Sequence, residues 1–196
     1  MNIIFSDGSL QKVKNRKIES ICGSGTIVRS LTNKKEFEKM IPLPDSTNNY
    51  AELNGIYEGL LIIKKQGLLK KEPVIIVTDS KYCITVLTDT MILEGKKGLD
   101  AVWKNKDKSN MKNPKIIKKI YQLIIDKDGD MYDNIKFVHV NSHLKANSKE
   151  DLDRIIHKFK QVGITINEDG ARGVIELNAR ADKLAKEAAN SLLVNY

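Results

Sequence analysis

Cysteine is scarce in this sequence, and long apolar runs are missing. Cys22 and Cys83 are the only two thiols in 196 residues, and they lie far apart with no metal-ligand spacing. A disulfide-stapled secreted scaffold and a cysteine-based zinc site are thereby excluded. Reduced thiols of an intracellular protein, cytoplasmic or nuclear and not secreted, are the expectation. No stretch approaches the roughly 18 apolar residues of a membrane span, so no membrane partner is expected. The first residues, Met-Asn-Ile-Ile-Phe-Ser-Asp, enter a strand-like pattern directly, and no signal or transit peptide is visible. Repeats and low-complexity linkers are absent too. At 196 residues the chain is most simply one domain over 1–196, and a monomer is the expectation. A hydrophobic content of 41% and a charged content of 30% suit an ordinary globular chain with a sizeable core.

Acid is nearly missing from one place. Residues 96–119 hold nine lysines against Asp100 and Asp107, a net +7 of the chain's +8. A single basic protrusion on a near-neutral body predicts a polyanionic partner. Its alternative is a solvated lysine-rich loop. Trp103, the only tryptophan, stands inside this cluster beside Lys104 and Lys106, offering an apolar face to sugars and bases.

The chain is organised around Pro73–Tyr82. Val74, Ile75, Ile76 and Val77 are consecutive β-branched residues without alternation, the pattern of a strand covered on both faces. Asp79 follows where the strand hands over to a helix, and ligands of open α/β sheets bind beyond the carboxyl ends of strands. Two readings fit Asp79: a group that carries chemistry, or a helix N-cap, a role that Ser80 also fits.

Hydrophobic periodicity predicts strands over 2–9, 21–31 and 35–43, with a lysine-rich turn over 11–17 and a hairpin at Asn33. A helix over 48–66, the central strand 74–78 and a helix from Ser80 toward Leu93 come next. A helix over 115–126, a turn over 127–133, a strand over 134–140 and a helix over 149–162 follow. Residues 163–173 read as irregular or a small hairpin, and the last helix runs over 176–193. The order βββ-α-β-α-α-β-α-α is that of an α/β domain with a mixed sheet.

Three further acids stand on faces that solvation does not explain. Asp7 ends the row of Ile3 and Phe5; Glu52 heads the helical row of Ile56, Gly59 and Ile63; Asp182, beside Ala181, borders the stripe of Leu177, Leu184, Ala185, Ala188 and Leu192. Glu52 also fits a helix-dipole role and Asp182 a rim position. Four carboxylates meeting within ~5 Å would cost on the order of 3 kcal/mol per like-charge pair. Divalent cations relieve that, and oxygen-only ligands favour Mg²⁺ or Mn²⁺ over zinc.

Asp7-Gly8-Ser9, Thr47-Asn48-Asn49-Tyr50-Ala51-Glu52, Thr78-Asp79-Ser80-Lys81-Tyr82, Val140-Asn141-Ser142-His143 and Asn178-Ala179-Arg180-Ala181-Asp182 occur in an order that resembles ribonuclease H of type 1. The resemblance spans nearly the whole chain. It implies a ribonuclease H-like fold, with a five-stranded mixed sheet, three antiparallel strands then two parallel, flanked by helices. It also implies endonucleolytic hydrolysis of the RNA strand of RNA–DNA hybrids, leaving 5′-phosphate and 3′-hydroxyl ends. Carried over by position, Asp7, Glu52, Asp79 and Asp182 bind two Mg²⁺ ions, with Mn²⁺ as a substitute, and His143 assists proton transfer or product departure. Asn178 matches a polar residue one turn before the last acid. Thr47 and Asn113 resemble residues that hold a DNA-strand phosphate, and Trp103 with Lys104 and Lys106 the protrusion that grips that strand. Ser9, Asn48 and Asn49 are the expected neighbours of the RNA 2′-hydroxyls. The alternatives are a nuclease of the same fold acting on another nucleic acid, or a catalytically silent hybrid-binding module.

The sequence departs from the family in three places. Gln11–Lys17 replaces a glycine-rich turn. Asp45 puts negative charge beside the expected phosphate pocket. Residues 144–177 form an insertion between His143 and Asn178, fit to lid the site, dock a partner or decorate the surface.

Overall fold

The computed structural model describes residues 1–15, 18–67, 72–88, 113–124 and 134–193. Five strands, β1 (Asn2–Asn15), β2 (Ile18–Ser30), β3 (Lys35–Pro44), β4 (Val74–Thr78) and β5 (Ile135–His139), form one sheet in the order β3-β2-β1-β4-β5. β1–β2 and β2–β3 pair antiparallel, while β1–β4 and β4–β5 pair parallel. This is the mixed sheet that the motif order implies.

Helices cover both faces: α1 (Asn48–Lys65), α2 (described over 81–88), α3 (Pro114–Ile124), α4 (Lys149–Gln161) and α5 (Glu168–Leu193). Ile4, Val74 and Ile76 point into an apolar cluster with Leu53, Ile56 and Leu60 of α1 and Ile117 and Ile120 of α3. Ile3, Phe5, Ile75 and Val77 point the other way, toward Leu152, Ile155 and Phe159 of α4 and Val174, Ile175 and Ala181 of α5. The unbroken apolar run of β4 is therefore buried on both sides.

Two element boundaries differ from the sequence expectation. Of the residues expected in a lysine-rich turn at 11–17, those over 11–15 instead extend the hairpin: Gln11 pairs with Ile21, Lys12 with Ser20 and Asn15 with Ile18, with a register shift between Lys12 and Asn15. Cross-strand pairing sustains these polar arms where their own strand propensity is weak. The segment 163–173, expected to be irregular, is mostly helix, since α5 begins at Glu168. Asn167 caps it, its Oδ1 accepting from Gly170 N at 2.9 Å and its carbonyl from Ala171 N at 2.9 Å, and Glu168 and Asp169 favour the first turn. Capping and burial of Ala171, Val174 and Ile175 outweigh the low propensity of Gly170 and Gly173. The turn expected at 127–133 and the helix end near Leu93 lie outside the described residues.

Glycines set how closely two helices approach the sheet. A methyl group at Gly59 would meet Ile4 Cγ2 at 2.5 Å, and one at Gly8 the Glu52 amide nitrogen at 2.7 Å, so α1 rests directly on β1. On β2, methyl groups at Gly23 and Gly25 would overlap the backbone of α5 at Ala185 and Ala189, and at Ala181 and Ala185. Buried Ala181, Ala185, Ala188 and Ala189 complete that seam. Gly25→Ala is therefore expected to push α5 off the sheet. Overpacking of this kind costs roughly 1–3 kcal/mol, so thermal denaturation should show a melting temperature several degrees lower.

Candidate active site

The sheet register brings two of the four acids together. β1 and β4 run parallel with Phe5 opposite Val77 as their last partners. Two residues further along each strand, on the same face, stand Asp7 and Asp79. Strands in a sheet lie about 4.8 Å apart, so equivalent positions place their side chains side by side. β4 ends at Thr78 while β1 continues, paired to β2 through Asp7 opposite Gly25, and this leaves a recess at the carboxyl end of β4.

Glu52 enters that recess from α1. Thr47 caps this helix, its hydroxyl accepting from Tyr50 N at 3.3 Å, and the contact between Gly8 and the Glu52 backbone fixes where the side chain emerges. Asp7, Glu52 and Asp79 each offer a carboxylate oxygen, all within 4.8 Å of one another. Asp182 lines the same cleft of about 350 Å³ but is not within that tight trio. Its side chain is 38% exposed and accepts from Lys186 Nζ, one turn on, at 2.6 Å.

The helix-cap reading of Asp79 does not hold. Ser80 Oγ accepts from Cys83 N at 3.3 Å and the Ser80 carbonyl from Ile84 N at 3.2 Å, so Ser80 opens α2. Nor does the dipole account for Glu52, which lies past the first turn of α1 and is buried. Asp182 does occupy the rim, as one of its two readings held.

The electrostatics of the recess are those of crowded carboxylates. Burial, then the charges of Asp79 and Asp182, raise the Asp7 carboxyl to about 7, although Gly8 N donates to Asp7 Oδ1 at 2.7 Å. Burial, then the charges of Asp7 and Asp79, raise Glu52 to about 9. Burial also raises Asp79, with Asp182 adding to the effect and the rings of His139 and His143 opposing it. Glu52 Oε1 receives a long bond, 3.4 Å, from Asn48 Nδ2, and Glu52 Oε2 is buried without a hydrogen-bond partner. A buried polar oxygen without a partner is costly, and the convergence of Asp7, Glu52 and Asp79 around it fits an oxygen-seeking divalent cation.

His143, on the loop after β5, lines the cleft with Asn141, Ser142, Asn48 and Asn178. It is exposed and adopts a left-handed backbone (φ 68°), uncommon for a residue other than glycine. Asn178 is buried on α5, with Oδ1 unpartnered. His139 does not join His143; its Nε2 meets the Asp79 carbonyl oxygen at 3.0 Å.

Thr47 and Asn113 come together in a second cleft, about 390 Å³, with Asp45, Ser46 and Tyr50. Ser9 and Asn49 line neither cleft. Trp103, Lys104 and Lys106 lie outside the described residues; of the basic run, Lys115, Lys118 and Lys119 are exposed on α3. Lys186 is the cleft residue that residue-type reasoning missed. Its signal was the i, i+4 spacing from Asp182 on a helix.

Comparison with known proteins agrees with this geometry. The RNase H family model matches residues 1–161, which takes in Asp7, Glu52, Asp79 and His143; Asp182 enters the site through α5. A ribonuclease H of Clostridium botulinum is 25% identical over 156 residues, covering 80% of this chain and 93% of the relative. The RNase H domain of prototype foamy virus superposes with a TM-score of 0.64 at 21% identity, over 97% of this chain and 94% of that one. LC11-RNase H1, solved in complex with an RNA/DNA hybrid, gives 0.52 at 18% identity, over 98% and 99%. A match over most of the chain, with the sheet order and the acidic recess in place, leads to one conclusion: this chain belongs to the RNase H family of nucleases.

Proposed function

We propose that the chain is a type 1 ribonuclease H, a single-domain, monomeric endonuclease that hydrolyses the RNA strand of RNA–DNA hybrids. The observation that carries this reading is the convergence of Asp7, Glu52 and Asp79 within 4.8 Å at the end of the central strand. The hybrid bound to LC11-RNase H1 supports the substrate. Buried free thiols at Cys22 and Cys83 suit a reducing, intracellular setting. Among the described residues no helix is long and apolar enough to cross a membrane.

Asp7, Glu52 and Asp79, with Asp182 at the rim, would hold two Mg²⁺ ions, and Mn²⁺ would substitute. Bound there, the ions would supply Lewis acidity toward a phosphodiester, and the products of this reading carry 5′-phosphate and 3′-hydroxyl ends. The chain's own residues do the rest. Crowded carboxylates stay ready to exchange protons for cations. Asn48 and Asn178 face the cleft as hydrogen-bonding partners for ribose 2′-hydroxyls, with Ser9 and Asn49 beside it. His143, exposed at the mouth, is placed to pass a proton to solvent. Thr47 and Asn113 bind a phosphate of the DNA strand, and Trp103, Lys104 and Lys106 hold that strand further along.

A substrate panel tests this reading. Labelled hybrid, duplex RNA and duplex DNA are incubated at equal Mg²⁺ and salt, with and without EDTA. We expect EDTA-sensitive cutting of the RNA strand of the hybrid. Preference for another duplex would assign the chain to a different nucleic acid, and hybrid binding without cleavage would make it a silent binding module.

A further inference from the structure

The loop that carries His143 is held from outside itself. It leaves β5 at His139 and enters α4 at Lys149, and its anchors come from α4 and α5. Lys158 Nζ, on α4, donates to the His139 carbonyl at 2.7 Å and approaches Asn141 Oδ1 at 3.5 Å. Arg172 Nη1, on α5, donates to the Ala146 carbonyl at 2.6 Å. Between these points the amide of Lys145 donates to Asp151 Oδ2 at 3.0 Å, and Leu144 and Ala146 pack against the apolar cluster of α4 and α5.

Lys158 keeps its place against electrostatic preference. Burial, then the charges of Lys81 and Arg154, push its ammonium below the ordinary lysine range. A cation held beside two others by acceptors at one loop end acts as an anchor, not as a free surface charge. Its hold also reaches the acids, because His139, whose carbonyl it grips, touches the Asp79 carbonyl through its ring. His143 sits between the anchors in its left-handed conformation, a strained backbone that persists only where the surroundings impose it.

We propose that the segment 144–177 is a positioning device for the histidine loop, with Lys158 and Arg172 as positioning residues that fix where His143 meets the cleft. The activity part of this inference rests on the ribonuclease reading; the anchoring part does not.

The test pairs two readouts on Lys158→Met, Lys158→Arg and Arg172→Met. Hydrogen exchange reports the amides of 141–147, and steady-state kinetics report hybrid cleavage. We expect Lys158→Met and Arg172→Met each to speed exchange in that loop and to lower kcat about tenfold, with KM within about twofold, as small displacements of reacting groups do. The melting temperature should stay within a few degrees, and Lys158→Arg should restore both readouts. In a His143→Ala background, Lys158→Met should cost nothing further, because the residue it positions is gone. Unchanged exchange with unchanged kcat, a loss confined to KM, or a fully additive loss in the His143→Ala background would each overturn the proposal. A wild type that cuts no hybrid would instead overturn the ribonuclease reading, with exchange still deciding the anchoring.

Discussion

Replacing Asp79 with Asn is expected to abolish hybrid cleavage and, in the same protein, to raise the melting temperature of the metal-free form. The two effects have one cause. Asp79 stands within 4.8 Å of Asp7 and Glu52, and its charge is among those that raise both carboxyls. At an effective dielectric near 20, one like-charge pair at ~5 Å costs about 3 kcal/mol. At pH 8.5, where Asp7 is charged, an amide of the same shape removes that repulsion, and each kcal/mol gained raises the melting temperature by about 2–4 °C in a chain of this size. The cap of α2 survives, since Ser80 supplies it. Activity should fall on the order of 10³-fold, the scale on which preorganised electrostatic groups matter. Differential scanning calorimetry in EDTA and a cleavage assay in Mg²⁺ give both numbers. An inactive variant with unchanged or lower metal-free stability would mean that the acids do not repel one another in the folded protein.

The second large effect is a pH dependence opposite to that of a protein stabilised by salt-bridged acids. Asp7 rises from 3.8 to about 7 and Glu52 from 4.5 to about 9, both chiefly through burial. Between about pH 4 and pH 9 the folded chain therefore binds more protons than the unfolded one. By linkage its stability is greatest at the acid end of that window and falls as pH rises through the two folded values. Metal-free protein should melt at higher temperature at pH 5.5 than at pH 8.5, with a difference on the order of several kcal/mol. Saturating Mg²⁺ should shrink or reverse the trend, because cations bind the deprotonated acids. The double variant Asp7→Asn with Glu52→Gln should flatten it. A metal-free melting temperature that is level from pH 5.5 to 8.5 would contradict the buried, crowded state of these acids.

Much of this arrangement was legible in the sequence. The apolar run Val74–Val77 ending in Asp79 marked the central strand and its outlet, and the period-two row Ile3, Phe5, Asp7 marked a neighbour on the same face. Pairing of Phe5 with Val77, the fact that makes Asp7 and Asp79 adjacent, is a long-range register that no local pattern encodes. Glu52 was visible as an acid heading an apolar helical row, yet its depth depends on Gly8 and Gly59 letting α1 down onto β1. Asp182 read as marginal and is marginal, exposed enough to pair with Lys186. The start of α5 was missed because Gly170 and Gly173 look like breakers, while the Asn167 cap and the buried face that override them act through tertiary contact. Lys158 gave no signal at all: a lysine on an amphipathic helix looks solvated until the carbonyl it reaches is known.

The central claim is that these side chains form a divalent cation site, and calorimetric titration of the EDTA-stripped protein with Mg²⁺ tests it most directly. Run at pH 7.5 in two buffers of different ionisation enthalpy, it counts protons as well as ions. The account predicts saturable binding with net proton release from Asp7 and Glu52, lost in Asp79→Asn. No saturable heat, or binding that releases no protons and survives that substitution, would contradict it.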